Sequence, residues 1–116
     1  MADWFGTTTL SVAEISAAAR DGVSAEFNAV QRRINKFGWR AIPDADGGVF
    51  EQFGAAPAWS GRATWQHGRA AAYCDVVVYD RGDRREVALT RGHKLGAGGA
   101  SKRLMNGIAQ AISRRS

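Results

Sequence analysis

The sequence has a single cysteine in 116 residues, Cys74, so no internal disulfide can form and no multi-cysteine zinc site can be built. It has two prolines, Pro43 and Pro57. No apolar run approaches the roughly 20 residues needed to cross a bilayer. The start, Met1-Ala2-Asp3-Trp4, lacks the basic head and apolar stretch of a signal peptide. Acidic residues are scarce toward one end: residues 81–116 hold two, against nine Lys or Arg. The lone cysteine, the lack of a long apolar run and the form of the start lead us to expect a soluble cytoplasmic protein with no membrane partner.

What is present is ordinary for a globular chain, with 45% hydrophobic and 23% charged residues. A chain of this size forms one small domain and buries roughly 65% of its unfolded surface, so it needs neither metal nor disulfides to fold, and no cofactor is expected. Charge is distributed unevenly. Residues 1–80 carry seven Lys or Arg against nine Asp or Glu, net −2, whereas residues 81–116 carry net +7. A basic block of that kind suits an anionic partner, nucleic acid above all, although solubility alone would also account for it.

Ser11-Val12-Ala13-Glu14 has the form of a capping box and opens a helix through the alanine-rich stretch to Ala19. Arg20-Asp21-Gly22-Val23 reads as a turn, with Gly22 at a left-handed position. Ser24 then caps a second helix, in which Phe27, Val30, Ile34 and Phe37 form an apolar stripe that ends at Gly38-Trp39. Two helices around a glycine-containing turn make a helix-turn-helix pair. Its outer face offers Asn28, Gln31, Arg32, Asn35 and Lys36, with Arg40 just beyond, side chains suited to base edges and phosphates in a major groove.

Val30, Ile34, Gly38 and Trp39, together with Trp4-Phe5 ahead of the Ser-Val-Ala-Glu-Ile helix, give residues 4–40 a pattern that resembles the Mu-type DNA-binding domain. That family is a winged helix-turn-helix found in phage Mu-like transposases and related repressors. The resemblance implies a DNA-binding regulator or accessory factor of a phage or mobile element, acting in transcription regulation. The family's Pro in the interhelical turn is replaced here by Arg20-Asp21-Gly22-Val23. The nearest counterpart of its Gly/Arg-rich wing, Gly68-Arg69-Ala70-Ala71-Ala72-Tyr73, begins 29 residues after Trp39.

Residues 41–66 are the least regular stretch, where at least one short strand is expected and where Trp59 and Trp65 would seal a small core. Residues 72–79 and 85–89, separated by Asp80-Arg81-Gly82-Asp83, read as a β-hairpin. The glycine-rich run from Gly96 leads into a closing helix with Leu104, Ile108 and Ile112 on one face. Ser101, Lys102 and Arg103 then fall in its first turn, where cations oppose the helix dipole unless an anion sits there. Arg91 and Lys94 precede them, just after the return strand. This strand–loop–helix also resembles the last third of a double-stranded-RNA-binding domain, which makes duplex RNA the second partner after double-stranded DNA. A small inhibitor or adaptor that binds a larger host complex, hence a protein partner, is a third reading.

Catalysis is not expected. Cys74 with His67 or His93 is a poor nucleophile–base pair, and no spacing of ligands suggests a metal. The expected fold is therefore α+β, a single small domain with an N-terminal helix-turn-helix pair, a β-hairpin and a C-terminal helix. Residues 1–80 would form the helix-turn-helix-like region with its wing. Residues 81–116 would form a basic strand–loop–helix segment packed on it.

Overall fold

A computed structural model describes residues 3–27, 36–41 and 57–116. Five strands and two helices follow one another as β1 (Trp4–Thr8), α1 (Val12–Phe27), β2 (Lys36–Ala41), β3 (Trp59–His67), β4 (Ala70–Asp80), β5 (Arg85–Lys94) and α2 (Gly98–Arg115). The strands form one antiparallel sheet in the order β1-β5-β4-β3-β2, so the N-terminal strand lies beside the last one. The molecule is α+β, as expected. The expected hairpin is β4–β5, and a second hairpin, β3–β4, arises from residues that include the irregular middle stretch.

β4 alternates in the manner of a strand with two distinct faces. Ala72, Cys74, Val76 and Val78 join Val87 and Leu89 of β5 and Ala63 of β3 in a core closed by both helices. From α1 this core receives Ile15, Ala18, Ala19 and Val23, and from α2 it receives Leu104, Ile108 and Ile112. The stripe expected for the C-terminal helix is thus its buried face. Trp59 and Trp65 pack against the rim of the same core. The other face of β4 carries Tyr73, Asp75, Val77 and Tyr79. There Arg62 donates to both carboxylate oxygens of Asp75, at 2.6 and 2.9 Å, and its guanidinium lies 4.2 Å from the Tyr73 ring centroid. The bond to Asp75 holds the Arg62 pKa above its ordinary value.

The capping box forms as read: the Glu14 amide donates to Ser11 Oγ at 3.2 Å, and the Ser11 amide donates to Glu14 Oε1 at 3.1 Å. The helix it opens does not stop at Gly22. α1 continues through residues 20–23 and includes Ser24, so the expected turn and the second N-cap are both corrected. The reason is packing. Gly22 is buried against the backbone of Gly107 in α2, with Ala111 alongside, and it serves as a point of close helix contact instead of a chain reversal. Phe37, Gly38 and Trp39, expected at the end of a recognition helix, belong to β2, where Trp39 stands opposite Ala63 in the register. The helix-turn-helix arrangement is therefore absent from the described residues. Val30 and Ile34 lie outside them.

The boundary at residue 80 falls in the β4–β5 turn. Arg85 ties that hairpin to the start of the chain by donating to the carbonyls of Leu10 and Thr9, both at 2.7 Å. At the far end of the chain Thr8 Oγ1 and Ser116 Oγ share a hydrogen bond of 2.7 Å.

Candidate nucleic-acid interface

The basic segment 81–116 divides into two parts once its partners are traced. Arg81 pairs with Glu86, Arg84 with Asp83, Arg85 with Asp80, and Arg115 with Asp21. These cations are matched inside the molecule, three of them around the β4–β5 turn. Such exposed or half-exposed pairs contribute little to stability, yet they lower the field that this part of the surface presents. Lys94 and Lys102 are exposed and have no acidic partner among the described residues. Both lie at the opposite end of the sheet.

That end is built by two neighbouring reversals. β3 turns into β4 through Gly68-Arg69, with Gly68 at φ 59°, a left-handed conformation that glycine adopts without a Cβ penalty. Gln66 Nε2 donates to the Gly68 carbonyl at 3.3 Å and braces the turn. In the sheet, His67 stands opposite Ala70, and Ala71 stands opposite Lys94, which brings the β3–β4 turn beside the end of β5. β5 then reverses through residues 95–97 into α2. Residues 66–70 and 92–103, which form this end, hold four Lys or Arg, two His and no Asp or Glu. Arg69, Lys94 and Lys102 are exposed, Arg103 is half-buried, and the His93 ring lies close to Gly98 at the start of α2.

Two expectations about this corner need correction. Ser101 is fully buried and is not a phosphate ligand: its hydroxyl donates to the Gly98 carbonyl at 2.8 Å and accepts from Arg91 Nη1 at 3.0 Å. Ser101 holds the first turn of α2 to β5, and Arg91, half-buried, is the other half of that brace. The Arg91 amide also donates to Asp3 Oδ2 at 2.9 Å, which places a carboxylate beside it. Second, α2 begins at Gly98, so Lys102 and Arg103 stand one turn further in than expected. The helix starts early because the Ser101 amide already donates to the Ala97 carbonyl at 3.0 Å. The dipole's opposition to cations fades within the first turn, so it weighs less on Lys102 and Arg103 than the sequence suggested.

Of the remaining expected contacts, Asn28, Gln31, Arg32 and Asn35 lie outside the described residues. Lys36 and Arg40 are in β2, opposite Gln66 and Arg62 in the register, and Lys36 is therefore at the cationic end of the sheet. Sequence reading missed Arg69. Its signal is the Gly68-Arg69 pair between two β-rich runs, the segment nearest in composition to a wing.

Cys74 is fully buried in the core. Burial pushes its thiol up to about 12, with the Asp75 and Asp3 charges acting in the same direction, so it carries no thiolate at neutral pH. Among the described residues no three of His, Cys, Asp and Glu converge as a metal site, and no helix is long and apolar enough to cross a membrane. No protein family model, curated protein or solved structure matches the chain.

Proposed function

We propose that this protein is a non-enzymatic nucleic-acid-binding protein that holds the phosphate backbone of a DNA duplex against the cationic end of its sheet, as a regulator or accessory factor would. One observation carries the reading. The register sets the β3–β4 turn and the β5–α2 corner side by side, and together they offer four Lys or Arg with no acidic residue between them. Three of them, Arg69, Lys94 and Lys102, come from separate elements and are exposed, an arrangement that suits a polyanion better than it suits a solubilising surface, where both signs are usually interspersed. In this reading Arg69, Lys94 and Lys102 contact phosphates, while Ser101 and Arg91 fix the helix start that presents Lys102. Contacts of this kind position a duplex without reading its sequence.

The test is a salt titration on duplex DNA with the double variant Lys94→Glu, Lys102→Glu. Loss of two phosphate contacts lowers the slope of log affinity against log salt by nearly two units, on specific and random sequences alike. An unchanged affinity and slope would show that the basic end serves solubility alone.

Duplex RNA is the second reading, favoured by one feature. The last strand leads through a glycine-containing turn into the Gly98…Ser101-Lys102-Arg103 helix start, an order that resembles the last third of a double-stranded-RNA-binding domain. Competition between DNA and RNA duplexes of one sequence separates the two, because only the RNA offers 2′-hydroxyls.

A further inference from the structure

Leu95 combines two anomalies. Among the described residues it is the one non-glycine with a positive φ, at 56°. Among the described residues it is also the more exposed of two large hydrophobic side chains that stand in solvent, at 67%. Glycine or asparagine would take that backbone conformation at less cost, and either would avoid placing an isobutyl group in water. Neither local geometry nor core packing accounts for the leucine, since the buried residue of this reversal is Ala97, at 4%. The next residue, Gly96, is also left-handed, at φ 82°, so two successive residues turn the chain and project Leu95 at the tip of the corner. Lys94 precedes it, and Arg69 and Lys102 lie on the neighbouring turn and helix.

We propose that Leu95 is an apolar wedge that enters a base step of a DNA duplex while the surrounding cations hold the adjacent phosphates. The inference rests on the DNA reading given above and deepens it: duplex binding here would part and bend the helix. A single apolar side chain is enough to unstack one base step, provided that backbone contacts on either side supply the affinity. A lipid surface needs more. One leucine buries far less apolar area than an acyl chain, and even a single acyl chain anchors only marginally. Among the described residues the other exposed large apolar side chain, Phe5 of β1, stands opposite Ala88, several residues back from the tip along β5.

The experiment uses the full chain with a DNA duplex carrying 2-aminopurine at a TA step, in parallel with its salt titration. The wild-type protein should raise 2-aminopurine fluorescence on binding, through unstacking. Leu95→Gly, which relaxes the backbone and should fold at least as well as the parent, should lose that rise and keep the salt slope. Leu95→Phe should retain the rise. The wedge is overturned if Leu95→Gly unstacks the step as well as the parent does, or if the wild type binds DNA with no fluorescence change. Vesicles of phosphatidylserine and phosphatidylcholine form the second arm, and Leu95-dependent binding there but not on DNA also overturns it. A protein that binds no DNA duplex at all overturns the DNA reading together with the wedge.

Discussion

Gly22 of α1 lies directly against the carbonyl oxygen of Gly107 in α2, so close that a methyl group on Gly22 would overlap both that oxygen and the Ala111 methyl. The two helices share the sheet face because this crossing has no side chain in it. Gly22→Ala would gain about 0.5–1 kcal/mol in helix propensity. It would also force the backbones apart, and overpacking of this kind costs about 1–3 kcal/mol. A net loss of stability is expected by urea unfolding. Gly99→Ala, in the first turn of α2 with nothing within 4 Å of the added methyl, should be neutral or slightly stabilising. Equal effects at the two sites would refute the close crossing.

Asp75 is nearly buried and receives both bonds from Arg62. Replacing Arg62 with Leu leaves a carboxylate without its cation on the sheet face, whereas Asp75→Asn keeps a polar acceptor there. Arg62→Leu should therefore be the more damaging, by about 1–3 kcal/mol relative to the parent. Because Arg62 is partly solvated, the loss should fall short of that for a fully buried pair. Unfolding curves of the two variants, compared at one pH, decide the order.

Cys74 should resist thiol reagents for as long as the sheet is intact. With its thiol held up at about 12 and its sulfur fully enclosed, labelling requires opening of the core. The labelling rate at pH 8 should then track global stability: slow in buffer, rising with urea in step with unfolding, and faster in Gly22→Ala. Rapid labelling of the native protein would contradict the position of Cys74 between β3 and β5.

Two carboxylates carry an acid dependence of stability. Hydrogen bonds from the backbone and side chain of Ser11 lower the Glu14 pKa from its ordinary 4.5, and the Gly82 amide lowers that of Asp80 from 3.8. A lowered pKa in the folded state stabilises the fold fully above the ordinary value, and the contribution is lost as pH falls through the lowered one. Melting temperature should hold from pH 7 to about 5, then drop progressively below 4.5. Glu14→Gln and Asp80→Asn should each flatten the drop. Unaltered acid profiles in both variants would show that the bonds to Ser11 and Gly82 do not persist in solution.

Local signals in the sequence were legible where one interaction decides the outcome. The capping box, the Asp80–Asp83 turn and the Leu104/Ile108/Ile112 stripe each depend on a few neighbouring residues, and each appears in the structure. Gly22 misled because glycine has two uses, chain reversal and close approach. Only Gly107, 85 positions away, reveals which applies. Phe37 and Trp39 misled because apolar residues that suit a helical stripe also suit alternate positions of β2, whose strand state depends on pairing with β3. At the candidate site, Lys94 and Lys102 could be named from charge alone. Arg69 could not, since its place beside them is set by strand register. Ser101 was misassigned because its burial depends on Arg91 reaching it across the corner.

The pairing of β1 with β5 joins residues 4–8 to residues 85–89, so β1 has no strand partner until β5 exists. Contacts of such wide sequence separation are costly to close and slow to form. During synthesis, the Trp4–Thr8 segment must therefore wait with its apolar side chains uncovered while some 80 further residues leave the ribosome. Truncation anywhere before residue 89 would leave this strand without its full partner. The Thr8–Ser116 bond brings β1 and the C-terminus together. It closes the same edge of the sheet from the C-cap residue of α2, so β1 is held on one side by β5 and at its end by Ser116.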